Sequence, residues 1–408
     1  MTSEPTGAFV WIWMPGEADP VVAGRIERRD QRHVFFYAAS YLARSGAVPI
    51  YEPELPLDNF ELEPLDGDMP LSIDDAAPDS WGRAVVNAVA NRPGVDHDPL
   101  TYLLESGSSR VGAIDFQTSA DTYQLRAPKP APLEQLIDGA DRVAAGEPID
   151  EHLAAVLVQG SPLGGARPKA LLVDADGTEI IAKFSRTTDT FLWVQAEYVA
   201  MDLARRVGIN VAPVRYVESQ GRSVILVDRF DRPPEGGRRR VVSAATIVGM
   251  QAIVAARHFT YVDFADAIRA RFTEPDATLR ELYSRISFNI LVGNTDDHAR
   301  NHAAFPLAGL DLELTPAYDI APQPRSGETA RHPRFGEGDD GRDSRIAPLV
   351  AAAPRFHLAP AEAQEISDHQ VDTIRSNWSE VCDTAHLTAA QRTQLLGGPF
   401  LNDFAFYP

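Results

Sequence analysis

The alternation of apolar and polar positions changes character along the chain. Residues 8–14 form a nearly unbroken apolar run that meets the turn Pro15-Gly16, and 21–26 and 33–37 follow at strand length. Short apolar runs bounded by turn residues predict a β-rich opening. An acidic, proline-bearing stretch fills 51–79, after which 81–89 returns to helical spacing. The alternating prolines of 127–132 suit an extended linker. Beyond the linker the pattern sharpens. Asp150 can cap a helix through residue 157, which runs into the turn-rich segment 159–169. Segments 170–173 and 179–184 flank Asp176-Gly177, a strong hairpin signal, and 213–217 and 222–227 flank Gln220-Gly221 in the same way. Between the hairpins, 191–207 has helical spacing and is closed by Gly208, where a left-handed C-cap belongs. Helical periodicity then dominates, at 262–271 and 279–292.

A small sheet with one helix, followed by a mostly helical region, predicts an α+β chain of two lobes with a cleft between them. The expected units are a β-rich subdomain at 1–126, a linker and helix at 127–149, a sheet-bearing lobe at 150–235 and a helical lobe at 236–408. A length of 408 residues is ample for several cores. The formal charge of −20 disfavours autonomous binding to nucleic acid or an anionic membrane, so Arg238-Arg239-Arg240 is expected to be a solvated loop. The mixed-charge segment 325–345 is likewise expected to be an exposed loop. No apolar stretch approaches the ~18 residues of a membrane span. A single cysteine, Cys382, excludes an internal disulfide framework and a thiolate zinc site. With no cationic-then-apolar leader at the start, the expected location is the cytoplasm.

Four pieces bear chemistry, in a telling order. They are the glycine-bearing loop 160–165; Lys183 on a strand, followed fourteen positions later by Glu197 on a helix; the segment Asn294-Thr295-Asp296-Asp297-His298-Ala299-Arg300-Asn301-His302; and Pro316-Ala317-Tyr318-Asp319. Phosphoryl transfer from ATP is mostly positioning and electrostatics, and it needs each part. Lys183 can grip the α/β-phosphates, with Glu197 as the carboxylate that holds it. Magnesium takes oxygen ligands, which Asn301 and Asp319 can supply. Asp296, five positions before Asn301, has the D-x-x-x-x-N spacing of a kinase catalytic loop and can accept the nucleophile's proton. His298 and His302 also stand at the i, i+4 spacing of a zinc pair. Ala299 occupies the place of a metalloprotease glutamate, however, and no third ligand is near in sequence.

The segment Ser161-Pro162-Leu163-Gly164-Gly165-Ala166-Arg167-Pro168-Lys169-Ala170 resembles the phosphate-loop region of HipA-like toxin kinases. So do Arg229-Phe230-Asp231-Arg232, the stretch from Phe288-Asn289 to Asn301-His302, Thr315-Pro316-Ala317-Tyr318-Asp319 and Asp75-Ala76-Ala77-Pro78-Asp79-Ser80-Trp81-Gly82-Arg83. The resemblance covers nearly the whole chain. It implies a two-lobed fold related to protein and lipid kinases, an added N-terminal subdomain, and transfer of the ATP γ-phosphate to protein serine or threonine. The implied substrate is a translation protein such as an aminoacyl-tRNA synthetase. The implied partner is a helix-turn-helix antitoxin of the HipB kind, through which alone the chain would meet DNA. By the same resemblance Asp296 is the base, Asn301 and Asp319 hold magnesium, and Lys183 clamps phosphate. Gly164 and Gly165 belong to the phosphate loop, Asp228 and Phe230 form the hinge that meets adenine, Asp231 lies at the ribose and His298 lies against the phosphates. Ser161 is the hydroxyl in the loop open to autophosphorylation. Two readings remain beside this one: an idle ATP-binding co-repressor of a DNA-binding partner, and a small-molecule kinase of the antibiotic-modifying sort, which shares the D-x-x-x-x-N spacing.

Overall fold

The computed structural model describes residues 4–92, 94–126, 131–163, 167–174, 177–325 and 329–408. Gly164, Gly165 and part of the linker therefore lie outside the described residues, as does Asp176 in the first expected hairpin turn.

The opening apolar runs pair as an antiparallel sheet in the order β3-β2-β1-β4, from β1 (Gly7–Trp13), β2 (Pro20–Arg29), β3 (Arg32–Tyr37) and β4 (Ile114–Gln117). The helices α1 (Ala39–Leu42), α2 (Leu71–Asp74), α3 (Ser80–Val89) and α4 (Pro99–Glu105) lie between β3 and β4. Val10, Ile12, Phe35 and Phe116 head the apolar cluster of this unit. Trp81 and Val85 of α3 belong to a different cluster. They pack with α5 (Leu133–Ala145), α6 (Glu151–Leu157) and one face of a second sheet. Caps set the helix starts: the Asp150 carboxylate accepts from Leu153 N at 2.8 Å, as the sequence expects, and Asp79 accepts from Gly82 N at 3.0 Å.

The second sheet has the order β5-β6-β8-β7, from β5 (Lys169–Val173), β6 (Glu179–Phe184), β7 (Val214–Ser219) and β8 (Arg222–Asp228), all antiparallel. In the β7–β8 turn Gln220 and Gly221 both have positive φ, 51° and 70°, as the primed two-residue hairpin requires. Strand alternation gives the sheet two faces. Ala170, Ala182, Phe184 and Val224 point to α3, α5 and α6. Ile225 and Val227 point the other way, to α7 (Trp193–Arg206) and the main core. That helix ends with Gly208 at φ +90°.

The helical lobe follows. A short strand β9 (Val242–Ser243) pairs with β10 (Ala303–Pro306), which pairs with β11 (Leu312–Leu314). The helices are α8 (Ala244–Ile247), α9 (Ala252–His258), α10 (Tyr261–Arg271), α11 (Pro275–Val292), α12 (Ile346–Ala351), α13 (Pro360–Thr384) and α14 (Ala389–Leu395). No described helix is long and apolar enough to cross a membrane. Cys382 is buried on α13.

Two sequence expectations are corrected. Segment 329–345 is not simply exposed, because His332, Phe335 and Ser344 are buried and backbone bridges join Arg334 to Thr260 and Arg331 to Asp343. The arginines 238–240 are not a solvated loop. Arg238 lies over the Trp13 ring at 3.5 Å and Arg239 over the Phe305 ring at 3.3 Å. Arg240 donates to the carbonyls of Pro49, Pro306 and Leu307 at 2.7–3.1 Å. Arg238 and Arg240 thus join the N-terminal unit to the helical lobe, while Arg239 stays within the helical lobe, where it also pairs with Glu313.

Candidate active site

The segment after α11 is positioned by one buried carboxylate. Gly293, at φ +67°, ends the helix and turns the chain. Asp297 then accepts from Asn289 Nδ2 at 2.9 Å, from the Tyr261 hydroxyl, and from His302 Nε2 at 2.9 Å. Asn294 Nδ2 donates to Asn289 Oδ1 at 3.1 Å. Burial alone would raise the Asp297 pKa, but the facing His302 and the donated hydrogen bonds hold it below the ordinary carboxylate value. With Asp297 pinned inward, its neighbours Asp296 and His298 are exposed on the opposite side. His298 Nδ1 accepts from Arg300 N at 3.3 Å and starts a single 3₁₀ turn, Ala299–Asn301. The i, i+4 spacing of His298 and His302, set aside as a metal pair in the sequence, does not place them on one helix face: the backbone there is no α-helix, and His302 is committed to Asp297. Among the described residues no group of three His, Cys, Asp or Glu side chains is arranged around a metal position.

Across the cleft, β6 carries Lys183. Its ammonium lies 2.5 Å from Glu197 Oε1 on α7 and also contacts Asp319 Oδ1. Burial would lower the Lys183 pKa, but the two carboxylates override it and hold the ammonium charged, well above its ordinary value. Burial likewise opposes the Asp319 carboxylate and is outweighed by Lys183, leaving its pKa below the ordinary value. Asp319 sits at φ +56°, a left-handed conformation that few residues other than glycine adopt and that stores on the order of 1 kcal/mol. Hydrogen bonds of the two preceding residues hold the chain there. Ala317 N donates to Asn210 O at 2.7 Å, Ala212 N to Ala317 O at 2.9 Å, and the Tyr318 hydroxyl to Arg300 O at 2.6 Å.

A cavity of about 340 Å³ opens between these elements. Lys183, Asp228, Phe230, Asp231, His298, Asn301 and Asp319 line it, with Ile181, Val227, Val241, Leu163 and Tyr318 as its apolar part. Glu197 lies behind Lys183. Asp296 stands outside the lining yet within electrostatic reach of Asp319; partial enclosure, together with the charges of Asp319 and Asp297, raises its pKa despite His298. One wall comes from the N-terminal unit: Asp75, Asp79, Ser80 and Val111. Asp75 reaches across to the helical lobe, accepting from Ser243 N and the Thr246 hydroxyl, each at 2.8 Å.

Two expected site residues are placed differently from the sequence reading. Ser161 is buried, its hydroxyl donating to Val158 O at 2.6 Å, so it is not presented to the cavity as a phosphate acceptor. Asp231 is at the cavity wall, but both carboxylate oxygens are already engaged. They accept from Arg229 at 2.9 and 2.7 Å, Arg232 at 2.9 Å and Gly112 N at 2.8 Å. Burial opposes that charge, but the two guanidiniums prevail and hold the Asp231 pKa far below the ordinary range. It is a clamp between units rather than a free acceptor for a ribose. The sequence reading passed over Lys169, Arg300 and the wall residues Asp75, Asp79 and Ser80. The signal for the wall residues was present in the phrase Asp75–Arg83 and that for Arg300 in the segment 294–302, whereas the position of Lys169 opposite Lys183 is set by strand register.

A sheet-bearing lobe and a helical lobe around a lysine–glutamate pair make this a kinase-like fold. The comparisons with known proteins extend that. Residues 161–378 match the HipA-like C-terminal domain and residues 15–117 the HipA N-terminal domain. The chain belongs to the HipA-like family. It is 30% identical over 142 residues to the serine/threonine-protein kinase toxin HipA of Shewanella oneidensis, covering 30% of this chain and 33% of that protein. It is 27% identical over 240 residues to Y4mE of Sinorhizobium fredii, a protein provisionally named a kinase, covering 52% and 55%. The chain thus aligns with between a third and about half of these relatives' lengths. In fold it is similar to a chain in the complex of Shewanella oneidensis HipA, HipB and operator DNA, with a TM-score of 0.67 at 17% identity over 98% of this chain and 99% of that one.

Proposed function

We propose that this protein is an ATP- and magnesium-dependent serine/threonine protein kinase, the toxin of a toxin–antitoxin pair. The observation that carries the reading is Lys183, held between Glu197 and Asp319 at one cavity with Asn301 and His298. In this reading residues 150–235 form the nucleotide lobe and 236–408 the catalytic lobe, with 1–126 as a subdomain that walls the cleft.

The apolar part of the cavity, with Phe230 and the Asp228 backbone at its edge, receives the adenine. Lys183 grips the α/β-phosphates, and its two carboxylate partners keep it charged and oriented. Asp319 and the Asn301 amide offer oxygen donors at one cavity, a set that fits a hard divalent cation. Magnesium held there would supply charge neutralisation across the phosphates. Asp296 orients the acceptor hydroxyl and takes its proton, and its raised pKa makes it a stronger base than an ordinary carboxylate. His298 faces the phosphates. The acceptor is a protein serine or threonine, for which an aminoacyl-tRNA synthetase is the proposed class. A helix-turn-helix antitoxin of the HipB kind is the proposed partner.

The test is transfer of label from γ-labelled ATP with magnesium to the protein itself or to lysate proteins. Asp296→Ala should reduce labelling by about a hundredfold or more while leaving the thermal midpoint unchanged. Labelling equal to the parent would refute the assignment of the base.

A further inference from the structure

In the helical lobe α11 packs against α13, and a second cavity of about 400 Å³ lies between them. It shares no lining residue with the nucleotide cleft. Ala277, Arg280, Glu281 and Ser284 of α11 line it at i, i+3, i+4 and i+7, the spacing of one helix face. That stripe rises about 10 Å along the helix, so the cavity is a groove rather than a point. Glu365, Ile366, His369 and Gln370 of α13 face it, and Val207 and Gly208, just past the end of α7, complete the lining.

The groove is rich in hydrogen-bond acceptors and short of donors. Gln370 is 1% exposed, and its amide nitrogen is spent on Ser284 O and Ser284 Oγ, each at 2.9 Å. Its Oε1 is buried and has no hydrogen-bond partner. Leaving such an oxygen unpaired is costly, so its place at a cavity wall calls for an N–H. Glu281 accepts from Arg285 Nε at 2.9 Å and Asn210 N at 3.2 Å, both through Oε1, which leaves Oε2 uncommitted. Glu365 is exposed and has no ion-pair partner among the described residues. The one guanidinium in the lining, Arg280, is already paired with Glu362, which lies outside it. The negative end of the α7 dipole falls at Val207 and Gly208. Val207, Ala277 and Ile366 give the groove its apolar share.

We propose that this groove binds a linear aliphatic polyamine. One ammonium donates to Gln370 Oε1, another is held by Glu365 and Glu281, and the methylenes between them lie on Val207, Ala277 and Ile366. The inference does not depend on the kinase reading, because none of these residues belongs to the nucleotide cleft.

The test is calorimetric titration of the full-length protein with spermidine in about 0.15 M salt, where diffuse attraction to the acidic surface is screened. The parent should bind one equivalent saturably. Gln370→Met removes the unpaired acceptor and should weaken binding about tenfold or more. Glu365→Gln removes an exposed charge and should weaken it several-fold; its exposure keeps the test open should Gln370→Met fail to fold. Glu235→Gln, an exposed acid outside the groove, removes the same charge and should match the parent. Butylamine, with one ammonium, should bind about tenfold more weakly than spermidine. Equal losses in Glu365→Gln and Glu235→Gln would reduce the effect to the net charge of the chain and overturn the site. No saturable binding by the parent, parent-level binding by both Gln370→Met and Glu365→Gln, or butylamine binding as tightly as spermidine would overturn it as well.

Discussion

The two walls of the cleft are built by opposite means. The helical-lobe wall is local: Asp296, His298 and Asn301 lie within six residues, and their placement follows from Asp297 being fastened to α10 and α11. The N-terminal wall is assembled at long range from buried charge. Asp75 bonds to residues 168 and 171 positions away, and Arg229 and Arg232 donate to the backbone of 109–112 from about 120 positions away. The first construction tolerates little change in its chemistry. The second supplies the N-terminal wall of the cleft, and so ties the shape of the cavity to the stability of the contact between units.

Breaking the long-range wall should have the largest effect on stability. Arg229 is buried between Asp231, Glu179 and three acceptors of the 109–110 backbone and side chain. Arg229→Ala strands those carboxylates and should cost about 3–5 kcal/mol, read by denaturant titration, with faster proteolysis of the N-terminal unit. Breaking the local wall gently should separate chemistry from stability. Tyr261→Phe removes one donor from Asp297, costs about 1–3 kcal/mol and lowers the transfer rate more than ATP affinity, measured as kcat against KM.

Acid should sharpen the contrast further. The folded Asp231 pKa is depressed by Arg229 and Arg232, so its stabilisation is complete above the ordinary carboxylate value of about 3.9 and is lost as pH falls through the folded value. Unfolding midpoints between neutral and acid pH should therefore fall less steeply in Arg229→Ala than in the parent. The smallest effect belongs to the rim. Arg239 and Glu313 are both exposed at 2.8 Å, and Arg239→Ala should change stability by about 1 kcal/mol or less.

The same contrast explains what could be read from the sequence. The Gln220-Gly221 hairpin, the Asp150 cap, the Gly208 terminus and the residues of 294–302 are encoded within a few positions of one another, where turn chemistry and spacing act. Lys183, Glu197 and Asp319 were readable as candidates because their residue types and order match the parts that phosphoryl transfer needs. Lys169 entered the sequence reading only as part of the segment 161–170, because its place beside Lys183 is set by the register of β5 on β6. Arg238–Arg240 looked like a solvated cluster, since nothing nearby in sequence announces Trp13 and Phe305 as the rings beneath them. Ser161 read as an available hydroxyl because burial under α3 depends on Gly82, nearly eighty positions upstream.

The central claim is that this cleft binds a nucleotide through Lys183. Calorimetric titration of ATP with magnesium into the parent and into Lys183→Met tests it most directly. A saturable single site in the parent, weakened about tenfold or more by the substitution, is the predicted result; equal binding by both proteins, or none by the parent, would contradict it.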